Sequence, residues 1–151
     1  MTGSSPDVRP QVTAAVTRGV RRALADRGFA SVAEVALPNG RRADVMAFDG
    51  AGTIWIVEVK SGLLDFVADR KWPDYRDWCD ALHFAVAADF PADMLPDDCG
   101  LFVGDGYGAD LVRPASVSRL APARRRSLLL LAAAVAAQRL HRIEDPGFGI
   151  G

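Results

Sequence analysis

Residues 42–48 (RADVMAF) and 53–60 (TIWIVEVK) flank Asp49-Gly50-Ala51-Gly52, and this strand–turn–strand pattern constrains the chain more than any other part of it. The second segment is rich in β-branched and aromatic residues, and the Gly-containing interruption is short enough for a hairpin. Side chains on a strand alternate faces. Glu58 and Lys60 therefore share a face with Ile54 and Ile56, while Trp55, Val57 and Val59 take the other. On the preceding strand Arg42, Asp44, Met46 and Phe48 lie together. In the register that sets Asp44 directly opposite Glu58, the two Cβ atoms are about 4.5–5.5 Å apart.

The rest of the chain builds around that hairpin. Residues 1–9 read as a disordered leader, residues 10–142 as one domain and residues 143–151 as a Gly-rich flexible tail. Pro10 can open a helix in which Val12, Val16, Val20 and Leu24 recur every four residues, with Arg18, Arg21 and Arg22 on or near the outer face and Gly28 as the stop. Residues 31–37 form a short apolar run closed by the turn signal Pro38-Asn39-Gly40. Pro73 can start a short helix carrying Tyr75 and Trp78, and residues 81–87 (ALHFAVA) suit a buried strand. Residues 101–104 and 110–113 surround a Gly-rich turn, so a second hairpin is expected, its last strand at an edge because Pro114 follows. A long helix over residues 122–142 ends the domain. The order is α-β-β-β-α-β followed by β-β-α, a mixed α/β sheet flanked by helices.

Composition excludes several classes of function. The 151 residues suit one domain, and 25% charged with 50% hydrophobic residues is not a disordered composition. The formal net charge of −1, from 18 basic and 19 acidic residues, rules out gripping nucleic acid through bulk positive potential, so any such contact must be local. The longest apolar run, residues 128–137, falls well short of the ~20 residues needed to cross a bilayer. With a polar N-terminus and no signal-peptide pattern, the expected location is cytoplasmic. Cys79 and Cys99 lack metal-ligand spacing and read as free thiols. Of the basic residues 16 are Arg and two are Lys, and of the acids 16 are Asp and three are Glu. A chain that avoids Lys and Glu nevertheless places one of each in Glu58-Val59-Lys60.

Two facing carboxylates repel and destabilise a sheet. A divalent cation between them removes that penalty, and Mg²⁺ favours a few carboxylate oxygens plus water. A Lys two residues on can orient a metal-bound water or stabilise charge on a phosphate. The pattern therefore suits metal-assisted phosphodiester hydrolysis; the competing account is a solvated strand end with a weak surface ion pair.

Asp44, thirteen intervening residues and Glu58-Val59-Lys60 resemble the signature of the PD-(D/E)XK nuclease superfamily, whose restriction-endonuclease-like core runs α-β-β-β-α-β. Further segments resemble the MmcB-like family of bacterial DNA-repair proteins, described as putative endonucleases. They are Arg42-Ala43-Asp44, Ile56-Val57-Glu58-Val59-Lys60-Ser61, Lys71-Trp72-Pro73-Asp74-Tyr75, Asp80 with Phe84-Ala85-Val86, and Gly100-Leu101 through Arg113-Pro114. The resemblance implies that Asp44, Glu58 and the backbone carbonyl of Val59 hold Mg²⁺ or Mn²⁺, that Lys60 positions the attacking water, and that Glu34 sits where some members place a further acid. Here Arg42-Ala43-Asp44 replaces the Pro-Asp of the signature, a departure shared by many members.

DNA contacts are expected from Arg41, Arg42, Lys71 and Tyr75, with Trp72 and Trp78 as core anchors and His83 as a packed residue. Arg124-Arg125-Arg126 opposes the dipole at the start of the last helix and hints at a role outside the fold, for DNA or a partner. The four leucines after it suit a buried helix or one packed on a second subunit, leaving a homodimer open. The functional expectation is a metal-dependent deoxyribonuclease acting in DNA repair, with DNA and other repair proteins as partners and no membrane. Its alternative is a non-catalytic DNA-binding or partner-docking module on the same fold.

Overall fold

A computed structural model describes residues 8–147 and 149; the remaining residues of the expected leader and tail lie outside those described. The chain forms a six-stranded mixed sheet between helical layers, in the order β1-β2-β3-β4-β5-β6. The strands are β1 (Ala30–Ala36), β2 (Arg42–Phe48), β3 (Ile54–Val59), β4 (Ala81–Val86), β5 (Gly100–Gly104) and β6 (Ala109–Arg113). The helices are α1 (Arg9–Asp26), α2 (Leu63–Ala68) and α3 (Pro122–Glu144), with 3-10 segments at Trp72–Trp78 and Ala92–Met94. The outer pairs β1–β2, β2–β3 and β5–β6 are antiparallel, whereas β3–β4 and β4–β5 are parallel. The expected element order, both hairpins and the edge position of β6 are all present.

The hairpin adopts the expected register, with Val45 facing Val57 and Phe48 facing Ile54. Its turn is closed by Asp49, whose Oδ1 accepts the N–H groups of Ala51 and Thr53 at 3.0 Å each. Alternation sorts the core as the parity requires. Val45, Ala47, Val57 and Val59 pack under Val16, Val20 and Leu24 of α1. Met46, Ile54 and Ile56 face Leu128 and Ala132 of α3 together with Tyr75 and Cys79. Gly19 makes the α1 packing possible, because a Cβ there would sit 1.9 Å from the Asp105 carbonyl oxygen.

Three expectations need correction. The Pro73 segment is 3-10 rather than α, and α2, too short to show a helical period, precedes it. Helix α3 is not buried all round: Leu128 and Ala132 are buried, but Leu130, Leu140 and Ile143 are exposed because the sheet covers one stripe only. The Arg124-Arg125-Arg126 run is largely structural. Arg125 clamps Asp80 with both guanidinium nitrogens and donates to the Gly52 carbonyl at 2.9 Å. Arg124 lies over the Trp78 ring at 4.3 Å and donates to the Asp77 carbonyl at 3.0 Å.

Trp72 packs on Phe84 with ring centroids 5.4 Å apart, as a core anchor should. His83 is buried between Trp55 and Phe102, and burial holds its pKa down at about 4. Both cysteines are buried and free, with thiol pKa values pushed up by burial to about 12 and 11.

Candidate functional site

The hairpin ladder stops at Val45–Val57, and two carboxylates continue it. The Asp44 N–H donates to Glu58 Oε2 at 2.9 Å, and the Val59 N–H donates to Asp44 Oδ2 at 2.8 Å. Each acid thus spends one oxygen on the opposite strand's backbone, which fixes both carboxylates at the open end of the β2–β3 pair. The expected facing of Asp44 and Glu58 is realised through these reciprocal bonds rather than through a continued ladder. Lys60 joins them from the end of β3, its backbone tied to the β4 carbonyl of Ala85 at 3.0 Å. Its ammonium is almost fully buried and donates to Asp69 Oδ2 at 2.6 Å.

The electrostatics of this end are unbalanced. Glu58 is 3% exposed, and burial followed by the Asp44 charge raises its pKa to about 8; the Asp44 N–H and Lys60 offset only part. Burial also raises the pKa of Asp44, opposed by the Val59 N–H and Lys60. Asp69, by contrast, is lowered: burial pushes it up, but the Lys60 ammonium and the backbone N–H groups of Lys71 and Trp72 together outweigh that. Tyr75 lies beneath the acids. Its hydroxyl donates to the Arg42 carbonyl at 2.7 Å.

A hard divalent cation fits this donor set. Two carboxylates with one lone-pair-bearing oxygen each anchored and too little positive charge nearby supply what Mg²⁺ takes from protein, which is one or two carboxylates with water completing the shell. Among the described residues no group of three or more His, Cys, Asp or Glu side chains is gathered for a metal. Further ligands would have to come from the Val59 carbonyl and water. Glu34 is exposed, feeds a repulsive charge to Asp44, and holds a left-handed backbone with φ 52° in the middle of β1. Arg139 of α3 holds that bend by donating to the Ala33 carbonyl and, at 2.8 Å, to the Glu34 carbonyl.

The residues expected to contact DNA come from two neighbouring segments, since Arg41 and Arg42 bond to Asp74 and Tyr75. Arg41 pairs with Asp74 at 3.1 Å, while Arg42 and Lys71 are exposed. Tyr75 cannot stack on bases: it is 7% exposed, with its hydroxyl committed inside the site, and belongs to the floor. Sequence reasoning missed Asp69, whose only signal is its place after Lys60, and Asp65, which accepts from the Ser61 N–H at 3.0 Å. It also left the arginines of α1 without a role. They line a groove of about 1430 Å³ whose lining also includes Asp44, Glu34 and Asp65.

A family model described as DNA repair protein MmcB-like matches residues 3–147. The chain belongs to the MmcB-like family. A solved structure of a protein of unknown function from Silicibacter pomeroyi is similar, at 45% sequence identity and a TM-score of 0.89, covering 93% of this chain and 97% of that one. No curated protein matches. Membership of the MmcB-like family carries a role in DNA repair, and the fold is shared with a close structural relative whose activity is open. Among the described residues no helix is long and apolar enough to cross a membrane.

Proposed function

We propose that this MmcB-like protein is a Mg²⁺- or Mn²⁺-dependent endonuclease of the PD-(D/E)XK type that cleaves DNA phosphodiesters during bacterial DNA repair in the cytoplasm. One observation carries the reading: a buried Glu58 and a facing Asp44, each pinned through one oxygen, meet at a strand end beside a buried lysine. Structural acids in such positions are normally neutralised by a partner. Lys60, itself paired with Asp69, offsets these two only in part, and a ligand that supplies positive charge accounts for them.

In this role Asp44 and Glu58, with the Val59 carbonyl, hold the cation. The bound cation would stabilise charge on the phosphoryl oxygens and sharpen the attacking water. Asp69 fixes the Lys60 ammonium close to the acids, where it can hold that water or the charge developing on phosphate. Tyr75, next to Glu58, is itself tied to the start of β2 through the Arg42 carbonyl. The strained Glu34 places a further carboxylate on the same groove.

The test is Mn²⁺ titration by calorimetry on the wild type, Asp44→Ala and Glu58→Ala, with cleavage of branched and single-stranded DNA followed alongside. Binding in the wild type and its loss in both variants supports the site. A folded wild type that binds no Mn²⁺, with or without DNA, removes the nuclease reading and leaves a non-catalytic module that binds DNA or docks a repair partner.

A further inference from the structure

We propose that the groove between α1 and β1 is the binding track for a single nucleic-acid strand, with Arg18, Arg21 and Arg22 as its phosphate-binding wall. The proposal deepens the reading above by naming the substrate form, and rests on it for the role of the acids beside the strand.

The net charge of the chain is −1, so attraction to a polyanion has to come from a local concentration of cations. Helix α1 provides one. Its buried stripe of Val16, Gly19, Val20 and Leu24 fixes the rotation of the helix on the sheet. That rotation sends Arg18, Arg21 and Arg22 outward, and all three line a large groove that also reaches Asp44. Arg21 is aimed by two bonds to Ser31, Nε to the hydroxyl at 2.9 Å and Nη2 to the carbonyl at 3.0 Å. Arg22 is steadied by the Tyr107 carbonyl at 3.3 Å. None of the three has an ion-pair partner among the described residues, so their charge is not spent within the fold.

Size and shape select the ligand. About 1430 Å³ exceeds the ~300–1,000 Å³ usual for small-molecule pockets, so an extended ligand suits the space better than a metabolite. The lining is concave, between a helix lying on the sheet and the start of α2, with Leu64 and Ala68 on the far side. A strand can lower its phosphates into such a trough, whereas the convex surface of a duplex meets only its rim. The charge is mixed as well. Arginines of the helix and the carboxylates Glu34, Asp44 and Asp65 line the same groove, so a strand held by its backbone lies beside the acids.

The experiment measures the affinity of a fluorescein-labelled twelve-nucleotide thymidine strand, by polarisation, without divalent metal and across a salt series. Wild type, Arg18→Glu/Arg22→Glu, Arg18→Gln/Arg22→Gln and Asp44→Ala are compared with a duplex of equal length, each variant checked for its thermal transition. The expected result is at least tenfold weaker binding in both arginine variants. In the Gln variant the log K against log salt slope falls by about 1.4, two contacts at about 0.7 each for a single strand. Asp44→Ala binds the strand at least as well as wild type because a negative charge is gone. No binding by the wild type, equal affinity of wild type and arginine variants, or a duplex bound as tightly as the strand overturns the proposal. Arginine-dependent strand binding in a protein that takes up no Mn²⁺ upholds the track and defeats the nuclease. Mn²⁺-dependent cleavage indifferent to the arginine variants does the reverse.

Discussion

The two ends of β3 treat a buried carboxylate in opposite ways. At the first residue, Asp80 accepts from the Ile54 N–H at 2.8 Å and the Leu120 N–H at 2.9 Å, and Arg125 clamps both its oxygens. Burial pushes its pKa up, but Arg125 and the Ile54 and Leu120 N–H groups together outweigh that and lower it. At the far end Glu58 is equally buried, receives one backbone N–H, and faces another acid. One end is a finished structural joint between β3, the segment before α3 and α3 itself. The other carries an electrostatic debt inside the same strand. A fold able to satisfy Asp80 so fully could have satisfied Glu58 by the same means, and the difference is what supports the proposed site at this end.

Breaking the finished end has the largest effect. Arg125→Ala leaves Asp80 buried with its counter-charge gone, and truncating one member of such a pair costs about 3–5 kcal/mol. Urea unfolding is expected to register a loss of that size. A loss under about 1 kcal/mol means that Asp80 is hydrated and the contrast between the two ends is false. The corresponding change at the open end, Glu58→Gln, removes a carboxyl whose charged form is poorly tolerated and should leave the metal-free protein as stable or more so.

Supplying the missing charge comes next. Mn²⁺ at a hundred times its dissociation constant stabilises a protein that binds it only when folded by about 2.7 kcal/mol. The wild-type melting temperature should rise accordingly, while Asp44→Ala and Glu58→Ala should not respond. A rise that persists in both variants places the bound ion elsewhere.

The pH dependence separates the ends on one axis. Glu58 has a folded pKa near 8 against 4.5 when free, so the folded state holds its proton longer and stability falls as pH rises between those values. His83 acts with the opposite sign over part of that range: its pKa drops from 6.5 to about 4, so stability falls as pH drops through that interval. The two oppose each other below 6.5. Above it Glu58 dominates, and metal-free stability should decline by about 2 kcal/mol between pH 6.5 and 8, at about 1.4 kcal/mol per unit. Asp80, lowered from 3.8, contributes stability that is lost only in more acid solution. Denaturant midpoints taken across that range, flat in Glu58→Gln and sloping in the wild type, verify the assignment; parallel slopes refute it.

The sequence was most legible where period and chemistry coincide. The alternation of residues 53–60 is enough to put Glu58 and Lys60 on one face, and the hairpin turn sets the register that brings Asp44 to them. What stayed hidden depends on contacts distant in sequence. Asp69 reaches Lys60 only because α2 and the following bend return the chain to the end of β3. The arginines of α1 look like an ordinary solvated face until the helix is rotated against the sheet and the groove beneath it appears. Arg125 reads as a misplaced charge at a helix start, and only its partner, 45 residues away, explains it. Nothing local in Ala33-Glu34-Val35 announces a left-handed residue within a strand.

That residue gives the smallest effect and the finest test of the comparison. A non-glycine side chain at positive φ costs on the order of 1 kcal/mol, and Glu34 bears it at the open end of the sheet, where Arg139 holds the neighbouring carbonyls. Glycine relieves the strain but makes the unfolded chain more flexible, which offsets part of the gain. Glu34→Gly should therefore be neutral or stabilising by less than about 1 kcal/mol, unlike ordinary glycine substitutions within a strand, which destabilise. If the strain serves to aim the carboxylate along the groove toward Asp44, the same variant should bind Mn²⁺ more weakly while folding as well as the wild type. Improved folding with unchanged Mn²⁺ affinity would separate the bend from the metal and assign it to the Arg139 clamp between β1 and α3. Loss of stability beyond 1 kcal/mol would mean that Glu34 is not strained at all, and that the reserve of unfavourable energy at this end lies in Glu58 and Asp44 alone.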